Sequence, residues 1–262
     1  MKIYVTGATG FVGRAFCGLA RARGHQVATL DRPDRLDAPP WQEIAQFAPE
    51  ACVHAAWIAT PGVYLDSPLN ADFVRWSLDF ARGMRDLGTR HFVGLGTCIE
   101  YAPRSPYAVA KNELRLALEK EHGMTVAWAR LFYPYGPGEH PRRLASTIAQ
   151  SLRRDEPVVL NTPASVKDYI HIADVASALL TITETGASGV INLGTGRGIA
   201  VREIARTLER LLGKEGLVRE ASPAHPDEYP HLVADAEKLR ALGWQPQYDL
   251  ATGLQTLIDS LL

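Results

Sequence analysis

The chain has 262 residues, 28 Lys and Arg against 29 Asp and Glu, a formal net charge of -1, and 46% hydrophobic residues. That length supports one large domain, or a nucleotide-binding domain with a smaller one attached, and a core that needs no staples. The near-zero charge gives no field favouring nucleic acid or a membrane surface as partner, and Cys17, Cys52 and Cys98 are spaced for neither a disulfide framework nor a zinc site.

Cysteine usage points to a reducing cytoplasm. The first apolar run starts almost at the amino terminus, with no long apolar segment or small-residue cleavage site, so neither export nor a membrane span is expected.

Short apolar or β-branched runs at 3–5, 27–30, 52–55, 92–95, 126–129 and 190–192 alternate with helical patterns at 10–23, 41–47, 71–87, 107–121 and 172–183. This is the pattern of an α/β fold built on a doubly wound parallel (Rossmann) sheet, in which ligands bind at the carboxyl ends of the strands. Residues 1–132 and 164–198 are assigned to this dinucleotide-binding domain. Residues 133–163, with a helix at 142–152, and 199–262, with helices at 201–212, 234–242 and 250–261, are assigned to a small carboxyl-terminal substrate lobe. A cleft between the two is the expected substrate position.

The first turn, Thr6-Gly7-Ala8-Thr9-Gly10-Phe11-Val12-Gly13, joins the first strand to the first helix. Glycines spaced Gly-x-x-Gly-x-x-Gly there suit a dinucleotide cradle. Gly7 makes the tight turn, Gly10 lets backbone amides approach a pyrophosphate, and Gly13 lets the helix pack on the strand. The phosphates then meet the amides of Thr9, Phe11 and Val12 at the positive end of the helix dipole. Asp31, ending the second strand, is placed to accept hydrogen bonds from both hydroxyls of an adenosine ribose, which favours NAD(H). Arg32 beside it can accommodate a 2'-phosphate, so NADP(H) stays open. Small residues after the third strand, Ala55 and Ala56, followed by Trp57, suit close passage along a cofactor or plain packing. His54 reads as a satisfied core histidine, since no second metal ligand sits at useful spacing. Asn70 reads as a helix cap.

Thr97 ends the fourth strand, and Tyr107 and Lys111 lie four apart, on one face of a helix. A phenol with a pKa of about 10 is a poor base, and a neighbouring ammonium favours its ionised form. The pair is therefore a usable proton donor and acceptor, with Thr97 fixing the substrate oxygen and Lys111 also able to hold the cofactor ribose.

These motifs resemble the extended short-chain dehydrogenase/reductases, the superfamily of nucleotide-sugar epimerases, dehydratases and reductases. Thr6 to Gly13 resembles that family's fingerprint, Tyr107 to Lys111 its Tyr-x-x-x-Lys pair, and Thr97 its serine-or-threonine position. Arg130-Leu131-Phe132-Tyr133, Lys167-Asp168-Tyr169-Ile170-His171, Asn192-Leu193-Gly194 and Leu242-Gly243-Trp244 extend the likeness along the chain.

The resemblance implies a nucleotide-sugar substrate, an NAD(P) cofactor with Asp37 near the adenine, and a homodimer through helices 71–87 and 107–121. It also implies pyrophosphate contacts from Arg143 and Lys167, with Arg142 reading as a solvated charge. Tyr133 replaces the asparagine of many relatives, and Cys98 either lines the pocket or is a small buried residue. Only ten positions separate Thr97 from Tyr107, a shorter loop than relatives usually carry. Dehydratases of the family resemble one another in an Asp-Glu pair after the threonine, and here Cys98 and Ile99 stand there, with Glu100 one place late. The leading expectation is therefore a reductase of a nucleotide-linked 4-keto-6-deoxy sugar. An epimerase with retained NAD is the alternative, and a non-catalytic cofactor sensor with the same fold is the third.

Overall fold

In the computed structural model, residues 1–30 and 36–261 are described, so Asp31 and Arg32 lie outside the described residues. The chain forms two compact units, Met1–Leu131 with Val175–Leu193 and Glu237–Trp244, and Phe132–Asp174 with Gly194–Ala236 and Gln245–Leu262.

In the first unit, β1 (Lys2–Thr6), α1 (Phe11–Ala22), β2 (Gln26–Leu30), α2 (Trp41–Phe47), β3 (Ala51–His54), α3 (Leu69–Asp86), β4 (His91–Thr97), α4 (Pro106–Leu118) and β5 (Thr125–Leu131) alternate as expected. With the strand Gly189–Leu193 they build a six-stranded sheet, ordered Gly189–Leu193, β5, β4, β3, β1, β2. Every pairing in it is parallel.

Parallel strands covered on both faces read as continuous apolar runs, and β3 is buried at all four positions. Successive strands leave β1 in opposite directions, β2 to one side and β3 to the other. The crevice at the carboxyl ends of β1 and β3 is thus the topological switch point. Register aligns Thr6 with Leu30 and His54, His54 with Gly94, and Thr97 with Leu131.

Helix α4 starts where its sequence says it should, because the Ser105 hydroxyl accepts from the Ala108 amide at 3.3 Å and Pro106 occupies the first helical position. Its inner face joins Phe80, Phe92, Leu114, Leu118 and Trp128 in the unit's core. Each such fully buried side chain contributes about 1.5–3 kcal/mol.

The second unit packs helices Leu144–Arg153, Val201–Leu212 and Leu250–Asp259 around Ile148, Leu152, Leu208, Leu254 and Leu257. It also holds strands of two or three residues. Val166–Lys167 lies between Ile199–Ala200 and His231–Leu232, and Tyr133–Tyr135 pairs with Tyr169–His171.

The boundaries differ from those expected in four stretches: Phe132, 164–174 and 194–198 fall in the second unit and 237–244 in the first. Residues 164–174 and 194–198 belong to the second unit because the Asp168 carboxylate, fully buried, accepts from the amides of Thr195, Gly196 and Ala234 and from the Thr195 hydroxyl. Residues 237–244 belong to the first unit. There the Lys238 ammonium donates to the carbonyls of Ser188 and Val190, and the Trp244 indole to the Ser177 hydroxyl.

Candidate active site

The glycine turn lies at the switch point, and its three glycines do different work. Gly7 adopts φ +70°, and a side chain there would fall 2.7 Å from the Ala56 amide nitrogen and 2.8 Å from the Ala55 carbonyl oxygen. At Gly13 a Cβ would come 2.1 Å from the Gly7 carbonyl oxygen, so helix α1 can sit against the turn only without one. At Gly10 the same atom is 3.2 Å away, and the residue is exposed together with Thr9.

The first rung of α1 is Arg14 N to Gly10 O at 2.9 Å, which leaves the amides of Phe11, Val12 and Gly13 ahead of the helical ladder. An exposed glycine and helix-start amides at a switch point fit a pyrophosphate.

His54 holds the turn. Its ring is buried, bonded to the Thr6 hydroxyl at 2.8 Å and the Ser77 hydroxyl at 2.9 Å, and stacked on Phe80 and Phe92. The Thr6 oxygen also accepts from the Ala56 amide at 3.2 Å. Burial, with Lys111 nearby, brings the His54 pKa down to about 3, so the ring is a neutral structural element. Of the residues following β3, Ala55 is half-buried, whereas Ala56 and Trp57 are buried. The Trp57 indole donates to Asn70 Oδ1 at 2.8 Å and stacks on Phe73. Trp57 is thus a wall of the site with its polar edge already engaged. Asp37 is exposed after the second strand.

Asn70 does not cap α3. Its amide group donates to the carbonyls of Tyr64 at 2.7 Å and Ser67 at 2.9 Å, while its oxygen takes the Trp57 bond. A side chain pointing into that loop has no reach to the helix-start amides. The loop it holds meets α4, since the Tyr107 amide donates to the Leu65 carbonyl and the Tyr64 ring packs edge-on to Tyr107 with centroids 4.8 Å apart.

Thr97 and Tyr107 come together, their hydroxyls hydrogen-bonded to each other. Lys111 shares α4 but turns elsewhere. Its ammonium donates to the Leu95 carbonyl at 2.7 Å and lies 3.8 Å over the Trp57 ring. The expectation that this ammonium would ionise the phenol is therefore corrected. Burial pushes the Tyr107 phenol up, with Tyr64 adding to the rise, and the bond from Thr97 is the group that opposes it. Burial likewise brings Lys111 down to about 7, against the pull of Glu100.

Glu100 was legible only as a misplaced acid. It is 3% exposed, and its carboxylate accepts from Arg130 Nε at 2.7 Å, Trp128 Nε1 at 2.8 Å and the Thr97 amide at 3.2 Å. Arg130 also stacks on Tyr101 and reaches Asn192. The available sequence signal was Gly94-x-Gly96, two side-chain-free positions in a strand where the neighbouring strand supplies a tryptophan.

The substrate-side candidates separate. Cys98 is buried and offers little surface. Tyr133, half-buried, starts a short strand and packs on Tyr169. Arg143 is half-buried at the start of helix Leu144–Arg153, near Glu139, and Arg142 is exposed. Lys167 is buried and its ammonium is paired with Asp227 at 2.9 Å and with the Tyr229 carbonyl, which corrects its assignment to pyrophosphate. Among the described residues no group of His, Cys, Asp or Glu is arranged to hold a metal, and no helix is long and apolar enough to cross a membrane.

A parallel sheet with the glycine turn at its switch point, followed three crossovers later by a Tyr-x-x-x-Lys helix, defines the class as an extended short-chain dehydrogenase/reductase. The profile of the NAD dependent epimerase/dehydratase family matches residues 3–194. GDP-L-fucose synthase 1 of Arabidopsis thaliana is 24% identical over 98% of this chain and 92% of its own. UDP-glucuronate 4-epimerase of Thermodesulfobacterium geofontis is 26% identical over 82% and 71%. The structure of UDP-glucose 4-epimerase from Thermus thermophilus in complex with NAD superposes with a TM-score of 0.84 at 23% identity, covering 99% of this chain and 98% of that one. The chain belongs to the NAD-dependent epimerase/dehydratase family.

Proposed function

We propose that the protein is an NAD(H)-dependent reductase of a nucleotide-linked keto sugar, best fitted by a 4-keto-6-deoxy sugar, with Tyr107 as proton donor. The observation that carries this reading is the bonded hydroxyl pair of Thr97 and Tyr107, whose phenol burial keeps protonated. A protonated phenol beside a carbonyl oxygen is ready to give its proton, which is the direction a reduction needs.

The turn from Gly7 to Gly13 would hold the cofactor pyrophosphate, and Asp31 would hold the adenosine ribose. When bound, reduced nicotinamide supplies a hydride to the keto carbon. Thr97 donates a hydrogen bond to the carbonyl oxygen and holds it against Tyr107. As the carbon–oxygen double bond becomes single, Tyr107 passes its proton to that oxygen, and the product is the alcohol. Glu100 cannot serve as an acid for water elimination, because Arg130, Trp128 and the Thr97 amide already occupy its carboxylate. Arg143 is the proposed pyrophosphate contact of the substrate.

Epimerisation is the second reading, favoured by the epimerases among the relatives. The two are separated by incubating the purified protein with NADH and a panel of nucleotide 4-keto sugars and nucleotide sugars. Stoichiometric loss of NADH with alcohol formation supports reduction. Isomerisation with no net consumption of cofactor would refute it.

A further inference from the structure

We propose that Glu100 is the positioning residue of this site: its carboxylate fixes the Thr97 backbone so that the threonine hydroxyl meets Tyr107, and it is the counter-charge for the Lys111 ammonium. The proposal rests on the reading of Thr97 and Tyr107 given above.

A carboxylate at 3% exposure is costly to bury, and an apolar pair of equal volume often stabilises a fold as well as an ion pair does. The surroundings indicate what this charge is kept for. The carboxylate takes three donors, two from β5 and one from the end of β4, and the one from β4 is the amide of Thr97 itself. Space is cleared for the arrangement, since a Cβ on Gly96 would fall 2.2 Å from Trp128 Nε1 and 3.0 Å from Glu100 Oε2, and one on Gly94 would fall 2.8 Å from the Trp128 ring. Between those glycines lies Leu95, whose carbonyl accepts from Lys111. One short stretch of β4 therefore carries the threonine, the acceptor for the lysine and the room for the glutamate.

Lys111 has a neutral carbonyl and the Trp57 ring as direct partners. The titratable groups that act on it are Glu100 from the turn Cys98–Tyr101 and His54 from β3, and Tyr107 lies one turn away on its own helix. His54 is neutral and Tyr107 is protonated. Glu100 is the charge that opposes the desolvation of Lys111. Burial brings the ammonium pKa down to about 7, and the opposite charge of Glu100 acts against that fall.

The test uses the full chain with 13C-labelled lysine, the Cε signal of Lys111 being identified by its absence in Lys111→Met. In Glu100→Gln, which keeps the shape, the Lys111 titration midpoint should fall by about 1 pH unit or more. Glu100→Asp keeps the charge but shortens its reach to Thr97, so the midpoint should stay near the wild-type value while kcat drops at unchanged KM. Should Glu100→Gln fail to fold, Glu100→Asp decides alone, with a fallen midpoint or an unchanged kcat overturning the proposal. A folded Glu100→Gln with an unmoved midpoint also overturns it. The titration needs no turnover. Failure of every keto sugar as substrate would count against the reductase reading and leave this result intact.

Discussion

Gly13→Ala is the most direct test of the cofactor cradle. The added Cβ lands 2.1 Å from the Gly7 carbonyl oxygen, 2.8 Å from its carbonyl carbon and 2.9 Å from the Ala8 Cα, all backbone atoms with no rotamer to yield. Carbon contacts are comfortable at about 3.5–4.0 Å, so the start of α1 must move by more than about 1 Å. Overpacking of this kind costs about 1–3 kcal/mol. In a protein of this size each kcal/mol lowers Tm by roughly 2–4 °C. The same shift pulls the helix-start amides off the pyrophosphate, and cofactor affinity falls about tenfold for each 1.4 kcal/mol carried into binding. Gly10→Ala is the control, because its Cβ meets only the Gly7 oxygen, at 3.2 Å. Its effect should fall on cofactor binding with little on Tm. Calorimetric scans without cofactor, and titration of NADH by fluorescence, measure both quantities. A Gly13→Ala protein with wild-type Tm and wild-type NADH affinity would show that the helix does not need to sit where it does.

Tyr107→Phe should lower kcat by about 10²–10⁴-fold, the usual contribution of a general acid, while NADH binding is retained; turnover at the wild-type rate removes the phenol from the mechanism. His54 titrates near 3 folded against about 6.5 unfolded, so below pH 6.5 the unfolded chain binds a proton that the folded one refuses. Stability is therefore complete above that pH and is lost as pH falls toward 3. His54→Gln should flatten the fall of Tm between pH 6.5 and 4.5, leaving the smaller shares of His91, lowered by burial, and of His171, lowered to about 4; parallel slopes in the two proteins would contradict the assignment. Arg143→Ala and Lys167→Ala should part company. The first should raise KM for a nucleotide sugar by roughly 10–100-fold, from a lost charged hydrogen bond, at unchanged Tm. The second should lower Tm, since it strands Asp227. A raised KM with unaltered Tm for Lys167→Ala would return that residue to the substrate.

What could be read from the chain alone was whatever is encoded within one turn of helix or one strand. The apolar alternation of the first unit, the glycine turn and the four-residue spacing of Tyr107 and Lys111 are local, and local geometry follows from local sequence. Even α2 falls at 41–47 as its pattern predicts. The destinations of buried charges were not local. Glu100 finds Trp128 and Arg130 in the next strand, and Lys167 finds Asp227 across 60 residues. Lys111 turns to Leu95 because that carbonyl and the Trp57 face are what packing presents to it. The two- and three-residue strands of the second unit have too few residues to show a period, and tertiary pairing alone makes them. A buried polar group takes whichever partner the folded backbone brings within about 3 Å, and that choice exists only once the elements have packed.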